Sequence, residues 1–379
     1  MPGDFWLRAT DAFVPVTFFV FGCIVGSFLN VCIHRMPLDQ SLLRPPSHCP
    51  KCQSPIPWRL NIPLLAWLWL KGRCANCRAP IPWRYPMVEL LTGLLFAAAW
   101  LRMGSAAQLT PAAFLAAAVL CVFLAGLITA TFIDLDHYII PDRITYGGMA
   151  AGLAASLVSS RLLSLDSVMP LAPASALARS ALGCVVGGAM VYAVVRVGKW
   201  LFGRQTYTLE PGERLLFAES ALRFADGEMP YEDIFYRESD AVTLHASRVE
   251  LLDRCYTDVD VRLTMTRLTI GSESFRPEEV PHLEVETREV IVPREAMGLG
   301  DVKFMAAIGA FLGWQATVFS LMASALLGAL VGVTLMAIQR GEYTGRMPYG
   351  PFIAVAAALW VFGGHALWRW WFESMRAPF

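Results

Sequence analysis

The chain has 379 residues, of which 56% are hydrophobic and 16% are charged. Soluble domains usually contain about 25% charged residues, so this composition excludes an ordinary soluble protein and favours one that crosses a membrane several times. The net charge is zero because two opposite excesses cancel: residues 204–295 hold 20 acids against 11 Lys or Arg, and the rest of the chain has the reverse excess.

Eight apolar segments predict membrane helices, several of them near the roughly 20 residues that span a bilayer. They cover residues 12–33, 86–101, 112–133, 144–160, 177–201, 301–314, 316–338 and 350–372. The basic residues of the first loop indicate that it faces the cytoplasm, because cytoplasmic loops are enriched in Lys and Arg. Eight crossings then place both termini in the periplasm.

The chain is expected to divide into five regions in sequence order. These are a first membrane helix region (1–33), a cytoplasmic tetracysteine loop (34–86), membrane helices that carry Asp134 (87–203), an inserted soluble domain (204–295) and final membrane helices (296–379). The predicted fold class is therefore an α-helical polytopic membrane protein with a zinc-knuckle loop and an inserted, mostly β, cytoplasmic domain.

Four cysteines in the first loop form two Cys-x-x-Cys pairs, Cys49/Cys52 and Cys74/Cys77. Two such pairs supply the four thiolates of a closed tetrahedral zinc site, and a site with four protein ligands is structural. The basic neighbours Lys51 and Arg78 are expected to lower the thiol pKa values. The alternative is a set of unligated or disulfide-bonded thiols, which a cytoplasmic location disfavours.

The inserted segment lacks long apolar runs and alternates apolar and polar residues. The clearest stretches are 259–265 and 283–292, a pattern that predicts β-strands with one buried face. The acidic excess of the insertion could attract a basic partner, or the insertion could simply be a solvated module.

Two aspartates stand at the ends of apolar segments, Asp134 in Ile-Asp-Leu-Asp-His and Asp301 in Gly-Leu-Gly-Asp-Val-Lys. A carboxylate in a membrane helix is costly, so each is a candidate functional residue. Two such groups at hydrogen-bonding distance share one proton, which lets one act as a base while the other acts as an acid. This pattern predicts an aspartic hydrolase whose catalytic pair is Asp134 and Asp301.

Supporting roles are predicted for Gly298, Gly300, Lys303 and Asp136. The glycines would let substrate approach the backbone closely, although the same residues also fit a plain turn with Asp301 as the helix N-cap. Lys303 could pair with a carboxylate or extend to the interface, and Asp136 could tune the pair or be solvated. Asp142 is expected to cap the next helix.

These residues together resemble the type IV prepilin peptidases, which are polytopic aspartic proteases with a Gly-x-Gly-Asp signature. The resemblance covers most of the chain outside the insertion. It rests on Gly26-Ser27-Phe28-Leu29-Asn30-Val31 with Arg35, the tetracysteine loop, Arg84-Tyr85-Pro86 through Glu89 and Gly93, Asp134 with Asp142, Gly298 to Lys303, and Tyr349-Gly350-Pro351-Phe352.

The resemblance implies an enzyme that cuts the basic leader from prepilins and pseudopilins of type IV pilus and type II secretion systems, at the cytoplasmic face of the inner membrane. It also implies N-methylation of the new terminus with S-adenosylmethionine, for which Gly26, Asn30 and Glu89 are candidate binding residues. Glu89 could instead be stabilised by a helix dipole. The expected partners are these substrates and the lipid bilayer, with no nucleic acid, and the oligomeric state is left open.

Two other classes of function compete with this interpretation. A proton-coupled transporter would use intramembrane acids as a relay, but it would place them near the bilayer midplane within inverted repeats, which the sequence lacks. A non-catalytic scaffold of a pilus or secretion machine would use the zinc loop and the insertion as docking surfaces.

Overall fold

A computed structural model describes residues 2–104, 109–165, 171–210, 213–218, 220–224, 227–231, 234–235, 240–280, 282–293, 297–338 and 347–376. The chain forms two compact units. One consists of Met1–Tyr192 together with Leu299–Phe379, and the other is Ala193–Gly298. The predicted boundary at residue 295, between the insertion and the last membrane region, lies outside the described residues.

Ten α-helices run through the described ranges. They are α1 (Pro2–Arg35), α2 (Leu65–Trp69), α3 (Arg84–Met103), α4 (Pro111–His137), α5 (Asp142–Val158), α6 (Pro173–Phe202), α7 (Leu299–Leu312), α8 (Trp314–Ile338), α9 (Gly350–Leu359) and α10 (His365–Arg376). A π-helical turn at Trp360–Gly364 joins the last two.

Six stretches of the described helices are long and apolar enough to cross a membrane: Phe13–Arg35, Arg84–Met103, Pro111–His137, Pro173–Leu201, Trp314–Ile338 and Gly350–Ser374. The other two predicted segments are also helical but shorter. Helix α5 has 17 residues and α7 has 14. At 1.5 Å per residue α7 extends about 21 Å, less than the roughly 30 Å of hydrocarbon in a bilayer. The number of crossings therefore stays a prediction.

Helix α7 is enclosed by other parts of the chain. Its residues from Phe304 to Leu312 are all buried, which fits a helix that is apolar on every side. Small residues bring its neighbours close: a Cβ at Gly152 of α5 would lie 2.8 Å from the Cβ of Ala310, and Gly183 of α6 packs directly on the backbone of Gly309. Such contacts between small residues are the usual way in which membrane helices approach each other.

The second unit is built on an antiparallel sheet with the strand order β4-β3-β2-β9-β5-β6-β7-β8, in which β1 also pairs with β9. Its strands are β1 (Arg204–Thr208), β2 (Arg214–Phe217), β3 (Ala221–Phe224), β4 (Gly227–Pro230), β5 (Val242–Glu250), β6 (Cys255–Leu263), β7 (Leu268–Ile270), β8 (Glu273–Phe275) and β9 (Leu283–Pro293). The predicted mostly β character of this segment is therefore observed.

The alternation of buried and exposed residues along the central strand β9 shifts by one position halfway along the strand. Leu283 and Val285 point into the core, and after a two-residue exposed step Val290 and Val292 do so again. The pairing with β5 shifts register at this step, and the Thr287 hydroxyl donates to the His245 carbonyl at 2.7 Å. A β-bulge therefore allows residues on both sides of the register shift to contribute to the same core.

Candidate active site and metal centre

Asp134 lies on the last turn of α4 and is only 5% exposed. Its Oδ2 accepts a hydrogen bond from the backbone N–H of Gly350 at 2.8 Å. Gly350 is the first residue of α9, where N–H groups have no partner within the helix and the helix dipole favours negative charge. The chain thus places a buried carboxylate against a helix N-terminus.

Asp301 lies in the first turn of α7 and is 9% exposed. Its carboxylate interacts electrostatically with the Tyr349 hydroxyl. That hydroxyl is hydrogen-bonded to Ser324 Oγ of α8 at 2.9 Å. Tyr349 directly precedes Gly350, so Asp301 and Asp134 interact with adjacent residues of the chain. Helix α7 begins two residues before Asp301, which is therefore a helical residue and not the N-cap.

The predicted glycines have different surroundings. Gly298 is exposed and precedes α7, whereas Gly300 is half-buried inside its first turn. A Cβ at Gly300 would lie 3.4 Å from the Cβ of Ile140, and one at Gly350 would lie 3.2 Å from the Cδ1 of the same isoleucine. Ile140, which follows α4, therefore lies between the starts of α7 and α9.

Asp136 is ion-paired. Both of its carboxylate oxygens accept from Arg84 Nη1, at 2.7 and 2.6 Å. Arg84 is the first residue of α3, and its second nitrogen donates to the Phe132 carbonyl at 3.0 Å. The start of α3 is thereby joined to the end of α4, within two residues of Asp134.

Lys303 and Asp142 hold two other helices together. The Lys303 ammonium lies 2.6 Å from Asp142 Oδ1 and 4.9 Å from the centroid of the Tyr146 ring. Asp142 was expected to cap α5, but Pro141 occupies the N-cap position and no side chain caps the helix. Instead of capping its own helix, the Asp142 carboxylate pairs with the Lys303 ammonium of α7, which lies within hydrogen-bonding distance.

Gly26, Asn30 and Glu89 lie together where α1 packs on α3. A Cβ at Gly26 would lie 2.7 Å from the Glu89 Cα, and the Asn30 side-chain amide donates to the Tyr85 carbonyl at 3.1 Å. Glu89 is 9% exposed and accepts from the backbone N–H of Leu64 at 2.8 Å. Glu89 therefore anchors the tetracysteine loop to α3.

These contacts do not fit a methyl-donor site. Asn30 Nδ2 and Glu89 Oε2 are bonded to the protein's own backbone, and a Cβ at Gly26 would lie 2.7 Å from the Glu89 Cα. A methyl donor at these residues would have to displace these contacts.

The four cysteines of the loop converge. Their sulfur atoms all lie within 4.8 Å of one another, with Cys49 and Cys77 at 3.8 Å and Cys52 and Cys74 at 4.0 Å. A zinc–sulfur bond of about 2.3 Å sets the sulfur–sulfur distances of a tetrahedral site at about 3.8 Å. The spacing fits zinc and is far longer than a disulfide bond.

The two knuckles have the same backbone design. In each, the residue four positions after the first cysteine, Gln53 or Arg78, adopts a positive φ and donates its N–H to the carbonyl of that cysteine. The pKa of the Cys52 thiol is lowered to about 6 by the Ser54 hydroxyl and backbone amide. The pKa of Cys74 is lowered by the backbone amides of Cys77 and Asn76. At Cys52 and Cys74, hydrogen bonds rather than the predicted charges of Lys51 and Arg78 lower the pKa, whereas burial and the neighbouring thiols raise the pKa of Cys77 to about 11.

Sequence reasoning missed the hydrogen bond that fixes Asp134. The sequence singled out Tyr349-Gly350 only as part of a family motif. It gave no reason to single out Ser324, because a serine in an apolar helix is common. The contact joins residues more than 200 positions apart, so local patterns carry no information about it.

Comparisons with known proteins find two family matches and several related enzymes. Residues 20–103 match the model of the bacterial peptidase A24 N-terminal domain, and residues 279–333 match that of the type IV leader peptidase family. A prepilin leader peptidase/N-methyltransferase of Aeromonas salmonicida is 28% identical over 94% of this chain and 93% of its own length. One from Myxococcus xanthus is 48% identical over 37% of this chain and 39% of its own length. No solved structure matches the chain.

A third relative is more similar to this chain than the Aeromonas enzyme is, and it is covered over more of its length than the Myxococcus enzyme is. It is the type 4 prepilin-like proteins leader peptide-processing enzyme of Escherichia coli O78:H11, which is 38% identical over 55% of this chain and 76% of its own. Together with the two family matches, this similarity means that the chain belongs to the type IV leader peptidase family.

Proposed function

We propose that this protein is a membrane-embedded aspartic endopeptidase that removes the basic leader from type IV prepilins and pseudopilins. The observation that carries the proposal is the pair of buried carboxylates, Asp134 and Asp301, beside Tyr349 and Gly350 at the start of one helix. The names of the relatives support the same substrate class.

The two acids divide the chemistry of hydrolysis. The ionised member deprotonates a water molecule that attacks the scissile carbonyl, and the protonated member polarises that carbonyl and then protonates the leaving amine. Because the pair shares one proton, neither role belongs to one residue in particular. When Asp134 is the ionised member, the Gly350 N–H stabilises its carboxylate, since hydrogen bonds to a carboxylate favour the charged form.

The proposed setting is the inner membrane, with eight crossings, the active site facing the cytoplasm and both termini in the periplasm. The eight basic residues from Arg35 to Arg84 support this orientation. A prepilin has a basic leader followed by an apolar helix, so an active site at the cytoplasmic headgroup level meets the junction between the two.

The tetracysteine loop is proposed to hold one structural zinc ion through Cys49, Cys52, Cys74 and Cys77. The ion would supply four bonds that fold a loop with few buried apolar residues, as structural zinc does in small domains. All four positions are filled by protein, which leaves none for a substrate.

We also propose that the enzyme N-methylates the new terminal residue, as the names of its relatives state for them. The methyl donor would be S-adenosylmethionine. The packed cluster of Gly26, Asn30 and Glu89 argues for a donor site elsewhere in the chain.

The leader-cleavage reaction tests the proposal directly. Asp134→Asn and Asp301→Asn, each in purified full-length enzyme with a native prepilin, should lower the cleavage rate by at least about 100-fold, the usual contribution of an acid–base group. In the Asp134→Asn variant the side-chain amide oxygen can still accept from the Gly350 N–H, so the fold should be retained. Cleavage is measured by the mass of the mature pilin.

The matched control is Asp39→Asn, which removes an exposed acid of the first loop and should leave the rate unchanged. Full-rate cleavage by either of the first two variants would disprove the catalytic pair. In the same samples, radiolabelled S-adenosylmethionine reports methyl transfer to already cleaved pilin. An enzyme that cleaves but transfers no label would be a peptidase alone.

A further inference from the structure

The tetracysteine loop carries an open cavity of about 380 Å³ that is lined by Trp69, Leu70, Lys71, Arg73 and Arg78. Three of the five lining residues are cations. All three are exposed, and none forms an ion pair with a carboxylate among the described residues. A site of this kind attracts an anion, and an Arg or Lys cluster is suited to a phosphate group.

An apolar surface adjoins the cavity. The short helix α2 exposes Leu65, Leu68 and Trp69, with 48%, 61% and 65% of their surfaces accessible. They are spaced at i, i+3 and i+4, so they share one helix face. The opposite side is fixed to the protein, because Ala66 is buried and the Trp67 indole donates to the Ile81 carbonyl.

The position of α2 along α3 sets its depth relative to a membrane. Leu64, the residue before α2, donates to Glu89 at 2.8 Å. Glu89 is the sixth residue of α3, about 8 Å from its start. Helix α3 has 20 residues and extends about 30 Å, which matches the hydrocarbon thickness. The start of α2 is therefore held within about 8 Å of the boundary between hydrocarbon and headgroups.

From these observations we propose that α2 and the adjoining basic cavity form a binding surface for anionic phospholipids, with the apolar face of α2 in the bilayer interface and the headgroup phosphate at Lys71, Arg73 and Arg78. Amphipathic elements rich in Trp, Leu and basic residues bind membrane surfaces in this way. Exposed cations near an anionic leaflet are attracted to its surface. The same cations would repel a basic leader peptide, so the surface is not a leader-binding site.

The test is hydrogen exchange of residues 65–73 in the full-length protein, embedded in nanodiscs of phosphatidylcholine with or without phosphatidylglycerol. Wild type should exchange at least about threefold more slowly when phosphatidylglycerol is present. Lys71→Asn/Arg73→Gln/Arg78→Asn should remove this difference. Asn is chosen at positions 71 and 78 because both have positive φ, which Asn tolerates. A second variant, Leu68→Ser/Trp69→Ser, should exchange faster in both lipids.

The matched control is Arg262→Gln/Arg267→Gln/Arg288→Gln, which removes three exposed cations from the β-sheet unit and should keep the lipid effect. Bound zinc, measured for every variant, reports that the loop is folded. Equal exchange in the two lipids, or loss of the effect in the control, would overturn the proposal. So would protection by glycerol 3-phosphate in detergent that equals the protection by phosphatidylglycerol, because the site would then bind a free phosphate.

Discussion

Gly350 allows the start of α9 to approach Asp134. A Cβ at this position would lie 2.7 Å from Asp134 Oδ2, a distance that real Cβ atoms do not adopt. The Gly350 N–H hydrogen bond and the missing side chain thus act together. At the scale of one residue, the site depends on the absence of a side chain at Gly350 as well as on the two acids.

Gly350→Ala should therefore displace the Asp134 carboxylate and lower leader cleavage by about tenfold or more, with zinc content unchanged. The rate constant for cleavage at saturating prepilin measures this. The control is Gly126→Ala in the same helix as Asp134, where a Cβ meets nothing within 4 Å and the cleavage rate should be retained. Wild-type turnover by Gly350→Ala would show that the contact is not needed.

The sequence could reveal the two acids but not their partners. A carboxylate at the end of an apolar segment is rare enough to single out Asp134 and Asp301. Asp142 and Lys303 were each recognised as polar residues at helix ends, yet their pairing joins α5 to α7 across 161 positions. Such pairings follow from helix packing, which local patterns do not specify.

At the scale of elements, the tetracysteine loop is held at three points: by its thiols, by Glu89 and by Arg84. Cys74→Ser should lower bound zinc well below one ion per chain and increase hydrogen exchange across residues 49–83, because the thiolates are the main constraint on the loop. Cys255→Ser, an exposed cysteine of the other unit, should bind zinc as wild type does. Full zinc content in Cys74→Ser would contradict a four-thiolate site.

Strands β5 and β6 carry a pH-sensitive cluster. His245 lies 2.7 Å from Asp260 and 3.0 Å from Asp258, and these hydrogen bonds raise the pKa of the imidazole. A raised pKa in the folded state means that the stabilisation is complete below the unfolded value of about 6.5 and is lost as pH rises through the folded value. The sheet should therefore be more stable relative to a His245→Gln variant at pH 6 than at pH 9.

Hydrogen exchange of β5 and β6 in the full chain measures this, with both proteins compared at each pH so that the intrinsic dependence of exchange cancels. A difference between the two proteins that is the same at pH 6 and pH 9 would contradict the assignment.

The strands themselves were partly visible in the sequence. Alternation identified the segments that became β6 and β9, because a half-buried strand repeats every two residues. The bulge at Thr287 was not visible, since it depends on pairing with β5. The strand order could not be predicted either. Strand β9 lies between β2 and β5, and only pairing between distant parts of the chain determines this position.

At the scale of the whole molecule, composition alone separated a membrane part from an acidic insertion, and the chain does form two compact units. Segment lengths were a weaker guide. Helix α7 is as apolar as its neighbours, yet its residues from Phe304 to Leu312 are enclosed by protein, so apolarity alone did not indicate whether a helix contacts other helices or lipid. Burial in other helices and burial in lipid select the same residue types.

The pairing of β1 with β9 has a consequence for how such a protein could arise. Arg204 lies opposite Pro293, so the first and last strands of the inserted domain place its two ends side by side. A domain whose two ends meet in this way can be gained, lost or exchanged by a single recombination event within the gene. Acquisition of a new module would then require only a short interruption between two helices, with no redesign of the enzyme that receives it.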